Sequence, residues 1–130
     1  MRQSPILTFN STAFPIAPGE DAETNPGIYG RALAQWLSQQ LGARGIQSGD
    51  AFAEDFGWCV AVKAGDEGVH VVCTNGEIDD SWQVFCFTER GLLEKLRGRA
   101  DATGALEQVF DAVKDCLAAA PEVCDVVEEE

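Results

Sequence analysis

The hydrophobic positions of this chain change period along its length, and the changes mark out its elements. Ile6, Leu7, Thr8 and Phe9 open an extended, β-branched and aromatic segment that reaches Phe14 and is closed by Pro15 and Pro18, which predicts a first strand. From Pro15 to Asn25 the residues are mainly proline, glycine and acids, the composition of an irregular connection. Asn25 followed by Pro26 reads as a helix start, because an Asn side chain accepts the first free amides and a proline there loses no needed donor. From there to about Ala43, the residues Tyr29, Leu33, Trp36, Leu37, Gln40 and Leu41 recur at helical spacing and predict one buried stripe. Gly42 and Gly45 supply the stop.

Beyond Gly45 the pattern becomes alternating. Strands are predicted over residues 58–63, 69–74 and 82–88, with a weaker one over 46–53. The connections 64–68 and 75–81 are too short for crossovers, so the strands form an antiparallel meander. The last strand is apolar on both faces, which suits a central position or cover on more than one side. A short helix over 91–97 then leads through Gly98 and a cap at Asp101 into a longer helix over 102–120. In that helix Leu106, Val109, Phe110, Val113 and Leu117 make the apolar stripe, while Glu107, Asp111 and Asp115 face outward. Pro121 ends it. Residues 122–130 are expected to fray as an acidic tail, a short edge strand being the alternative. The pattern specifies one α+β domain over residues 1–130: a two-layer sandwich in which an antiparallel sheet of four or five strands carries an N-terminal and a C-terminal helix.

Composition narrows the function. The chain has 130 residues, of which 45% are hydrophobic, enough for one core without staples. Its 22 acids against 9 bases give a formal net charge of −13, a field that repels nucleic acid and anionic membranes and favours a basic protein partner. The one basic cluster, Arg90, Lys95, Arg97 and Arg99, is interleaved with Glu89 and Glu94 and makes no phosphate-binding track. No apolar run approaches the ~20 residues that span a bilayer. Residues 101–130 hold nine of the acids and one base, so the charge is concentrated late in the chain.

The five cysteines, at 59, 73, 86, 116 and 124, show no CxxC spacing and have only His70 to join them, which predicts no zinc or other metal site. Nothing at residues 1–10 resembles a secretory signal, so reduced thiols and a cytoplasmic location are expected. The glycines match neither phosphate-loop nor dinucleotide patterns, and no cofactor is expected. His70 lies mid-strand with no nucleophile placed beside it by sequence, so no catalytic residue is assigned.

Two segments pair carboxylates with aromatics. Glu54 and Asp55 precede Phe56 and Trp58, and Asp79 and Asp80 precede Trp82. Adjacent acids on an extended chain project to opposite sides, which argues against a converging acid and base. Acid beside indole is instead the chemistry of a recognition surface or of a core anchor closed by an acidic turn. The candidate binding residues are therefore Glu54, Asp55, Trp58, Asp79, Asp80, Trp82, Glu107, Asp111 and Asp115.

The run Gly30, Leu33, Ala34, Trp36, Leu37, Leu41 and Gly45, followed by Glu54, Asp55, Gly57 and Trp58, resembles a pattern in small bacterial proteins of unassigned activity. That resemblance implies an α+β fold and no particular site. In size and acidity the chain is similar to immunity proteins and other compact inhibitors, by analogy. The expected function is a non-enzymatic binding or inhibitory protein that docks on a basic partner. One alternative is a small-ligand binder or enzyme with a pocket between the first helix and the sheet, using Glu54, Asp55 and Tyr29 or His70. Another is a structural module that forms a homodimer through the two-sided apolar strand around residues 84–87.

Overall fold

Alternation in the middle of the chain builds the sheet from its centre outward. The computed structural model describes residues 2–64, 67–88 and 104–129. In chain order its elements are β1 (Arg2–Gln3), β2 (Ile6–Asn10), α1 (Arg31–Ala43), β3 (Gln47–Ser48), β4 (Phe52–Glu54), β5 (Gly57–Ala64), β6 (Glu67–Asn75), β7 (Ser81–Thr88), α2 (Ala105–Ala119) and β8 (Cys124–Glu129). All eight strands join one sheet in the order β3-β5-β6-β7-β2-β8, with β4 also on β5 and β1 also on β7, and every pairing is antiparallel.

One face of the sheet carries the core. Trp58, Val60 and Val62 of β5, Val69, Val71 and Cys73 of β6, and Trp82, Val84 and Cys86 of β7 fall at alternate positions. With Leu7 and Phe9 of β2 they meet Leu33, Ala34, Leu37 and Leu41 of α1 and Leu106, Val109, Val113 and Leu117 of α2 in one buried cluster. A smaller group, Cys59, Val72 and Phe87, is buried on the other face with Phe52 and Phe85 packed against it. Both faces of β7 are thus apolar, which suits its place between β6 and β2.

The sheet corrects the expectation of four or five strands between terminal helices. The weak strand over 46–53 divides into β3 and β4, and between them the Gly49 amide donates to the Ala61 carbonyl at 2.9 Å, which holds the break against β5. The first strand is likewise preceded by a second piece. At Ser4 the amide donates to the Cys86 carbonyl at 2.8 Å and the hydroxyl accepts from the Cys86 amide at 2.9 Å, so a side chain spans the gap between β1 and β2. The largest departure is β8. Residues expected to fray pair with β2, Ile6 opposite Glu129, Leu7 opposite Glu128 and Thr8 opposite Val127, so α2 is followed by a strand. Every β8 residue is exposed, and what orders the strand is backbone pairing, which needs no apolar pattern.

The first helix also starts later than the Asn25-Pro26 signal suggests. The Asn25 side chain donates to the Asp55 carbonyl at 2.9 Å, the Ile28 amide returns to the Asn25 carbonyl at 2.9 Å, and Gly27 takes a left-handed φ of 83°, so the chain turns once before the helix begins. The free amides at the helix start are taken by Glu20, whose Oε2 accepts from the Gly30 and Arg31 amides at 2.9 and 3.0 Å. Its Oε1 accepts from the Ala17 amide at 3.0 Å, and the side chain is only 4% exposed. Tyr29 and Trp36 are accordingly half-buried rather than central to the stripe, and Trp36 packs on Phe14 at 5.4 Å between ring centroids. The predicted helix over 91–97, the Asp101 cap and the basic cluster at Arg90, Lys95, Arg97 and Arg99 lie outside the described residues.

Gly30 sits where the helix meets the sheet. A Cβ there would lie 2.5 Å from the Cys73 carbonyl oxygen, and its φ of 147° disfavours any side chain. Gly57, at φ 155°, meets the same oxygen at 2.7 Å. Chemical denaturation should therefore show Gly30→Ala losing more than about 2 kcal/mol, whereas Gly27→Ala, strained but with open space around it, should lose about 1 kcal/mol. Glu20→Ala should cost about 2–4 kcal/mol, because it leaves buried amides without their charged acceptor.

Candidate functional site

Antiparallel pairing brings the acidic turns to one end of the sheet. β4 ends there at Glu54, β5 begins at Gly57, β6 ends at Asn75, β7 begins at Ser81, β2 ends at Asn10 and β8 begins at Cys124. The turn carrying Glu54 and Asp55 and the turn carrying Glu77, Asp79 and Asp80 consequently share that end, and all five carboxylates belong to exposed residues. Asp125 joins them across Asn10, whose Nδ2 donates to Asp125 Oδ2 at 3.2 Å.

A cleft of about 370 Å³ opens beside the second turn, lined by Ile16, Tyr29, Asn75, Gly76, Glu77, Ile78, Asp79, Asp80, Ser81 and Trp82. Its walls are held by Asn75, which accepts from the Tyr29 amide at 3.1 Å and donates to the Gly27 carbonyl at 3.0 Å. The turn itself is fixed by the Ser81 hydroxyl, which donates to the Ile78 carbonyl at 2.6 Å, and by the Asp80 carbonyl, which accepts from the Ser11 amide at 2.8 Å. Asp80 takes a left-handed φ of 63°, a conformation that Asp tolerates better than most residues. Ile78 stands 71% exposed at the rim. The cleft therefore combines carboxylates, an apolar rim and fixed walls, which suits an inserted cationic side chain or basic loop.

The structure sorts the sequence candidates into three groups. Asp79 and Asp80 line the cleft with Trp82 at its base, while Glu54 and Asp55 stand at the same end outside it. Glu107, Asp111 and Asp115 form a separate exposed stripe on α2. Next to that stripe, Lys114 Nζ lies 3.6 Å from Asp111 Oδ1 and 3.2 Å from Glu128 Oε1, so α2 and β8 present one acidic surface. Trp58 and Trp82, each 4% exposed, are core anchors rather than contact groups. The Trp82 indole donates to the Ser11 carbonyl at 3.1 Å. Among the described residues the buried Trp58 indole nitrogen has no hydrogen-bond partner, and the Arg31 guanidinium lies 5.5 Å from its ring centroid.

The residues of the enzyme alternative do not converge. Tyr29 lines the cleft, whereas His70 occupies the opposite sheet face, between Phe52 at 5.9 Å and Phe87 at 5.0 Å by ring centroids. Leu33, Ala34, Leu37 and Leu41, all fully buried, fill the space between α1 and the sheet. Among the described residues no cluster of His, Cys, Asp and Glu is arranged to hold a metal ion, and no helix is long and apolar enough to cross a membrane.

Asn75, Glu77 and Ile78 went unmarked by sequence reasoning, and Tyr29 was marked only for the alternative of a small-ligand or enzyme pocket. The signal was present in the turn, which at residues 76–80 is long for a tight hairpin and carries an isoleucine with no alternation to bury it.

Four of the five thiols are buried. Burial, reinforced by the charge of Glu54, pushes the Cys59 thiol from 9.0 up to about 12. Burial also pushes Cys86 up to about 12, against a hydrogen bond from Ser4, and raises Cys73 and Cys116. Alkylation of the folded chain near neutral pH should label Cys124, the one exposed cysteine, and reach the other four only on unfolding, as peptide mass mapping would show. The raised thiols favour the folded state fully below pH 9.0. That contribution is lost as pH climbs towards about 12, because the unfolded chain ionises first, so denaturation midpoints should fall across this window.

Comparison with protein-family models, with curated proteins and with solved structures gives no match for this chain.

Proposed function

We propose that the chain is a non-enzymatic binding protein that uses the acidic end of its sheet to dock on a basic protein partner, in the manner of compact immunity-type inhibitors. The observation that carries this reading is the convergence of Glu77, Asp79 and Asp80 on a cleft whose rim exposes Ile78, with Glu54 and Asp55 at the same end. A formal charge of −13 supplies the long-range attraction, and the exposed carboxylates stay solvated until a partner arrives. The exposed isoleucine and the acids lining the cleft together select a Lys- or Arg-bearing protein over a simple cation, because a protein can also cover Ile78.

The test is capture of partners on the immobilised chain, followed by association kinetics over a salt series with wild type and with Glu77→Gln/Asp79→Asn. Captured partners should be basic, and the on-rate should fall roughly tenfold or more as salt rises past the physiological range. The double variant should bind more slowly while its stability stays within about 0.5 kcal/mol of wild type, since both side chains are exposed. A salt-insensitive on-rate, or partners of neutral charge, would reject the reading.

A further inference from the structure

The two edges of the sheet are finished differently. At one edge β5 is covered by two short pieces, β3 and β4, broken at Gly49, which leaves no long run of unpaired backbone. At the other edge β8 runs from Cys124 to Glu129, bulged beside Asp125 where φ is 58°, and among the described residues nothing pairs with its outer side. Beyond the bulge, alternate residues of 126–129 direct their amide and carbonyl away from the sheet, a short template for one more strand. Beside that template stand Val126 and Val127, 42% and 52% exposed, with Asp125, Glu128 and Glu129. On the helix side Asp111 lies within the same acidic surface, through Lys114.

We propose that β8 is a strand-addition site for an extended segment of the partner that alternates Lys or Arg with β-branched residues. The acids of β8 decide the occupant. A second copy added at this edge would bring its own Asp125, Glu128 and Glu129 against those of the first, like charges on adjoining strands. A basic strand turns that repulsion into an attraction, and its apolar residues cover the valine on their own face of the sheet. Backbone pairing gives the addition its affinity, and the carboxylates give it its sign. The site begins next to the acidic cleft, because Asn10 is opposite both Ser81 and Cys124, so one partner can reach both. This inference rests on the basic-partner reading and names where and in what conformation the partner binds.

The probe is a synthetic peptide of alternating lysine and valine. Three forms are compared against the full chain: the peptide itself, a form N-methylated at alternate amides that keeps its charge but loses donors along one edge, and an acidic form with glutamate for lysine. Binding is read by fluorescence anisotropy, and its location by amide hydrogen exchange. The lysine form should bind, N-methylation should weaken it roughly tenfold or more by removing backbone donors, and amides within 124–129 should gain protection. Equal binding of the N-methylated form, or protection confined to residues 75–82, overturns strand addition while leaving the basic-partner reading intact. Binding of the acidic form as strong as the basic one overturns both. Concentration-dependent dimerisation that protects β8 and excludes the peptide assigns the edge to a second copy and overturns the inference.

Discussion

The approach of α1 to the backbone of β6 at Cys73 fixes the rest of the described structure. Two glycines make room for it, Gly30 at the start of the helix and Gly57 at the start of β5, and both abut the same carbonyl oxygen. The first amides of any helix lack partners within it, and here the buried carboxylate of Glu20 supplies them. Glu20 in turn holds Ala17, so residues 15–20 are drawn down over the end of the sheet and Ile16 reaches the cleft. The wall of the candidate site is therefore a by-product of how the first helix is seated. Changes at Gly30 or Glu20 would reshape the cleft as well as weaken the fold.

The second consequence concerns charge. The helix-bearing face is almost wholly apolar, and carboxylates are displaced to places where the chain turns or the sheet stops: residues 54–55, 77–80 and the β8 edge. Displacement keeps them hydrated, and their mutual repulsion remains modest in water. A cationic partner of the proposed kind would relieve that repulsion as it docked. Acid chemistry and unpaired backbone thus lie along one continuous border of the molecule.

Sequence patterning was most legible where side-chain periodicity alone sets structure. Trp58, Val60 and Val62 against Val69, Val71 and Cys73 form the expected meander, and Leu106, Val109, Phe110, Val113 and Leu117 form the expected stripe of α2. It failed where distant groups decide. The cap of α1 comes from Glu20, ten residues before Gly30, so the local Asn25-Pro26 signal was outweighed by a side chain no window would connect to it. β8 has no buried residue and hence no pattern, and its order comes from β2 at the other end of the sequence. At the candidate site the chemistry of Asp79 and Asp80 was readable, but their meeting with Glu54 and Asp55 depends on strand order. Acid beside indole was ambiguous until burial assigned Trp58 and Trp82 to the core.

The pairing of β2 with β8 has a temporal side. It joins Ile6 to Glu129, so during synthesis β2 waits without that neighbour until the distant residues of β8 have emerged. Until β8 emerges, β2 itself is the border strand of the nascent sheet, and its exposed flank bears Ile6, Thr8 and Asn10 without a single charge. The acidic strand then takes that place, so the border of the finished sheet carries like charges that oppose edge-to-edge pairing of identical chains.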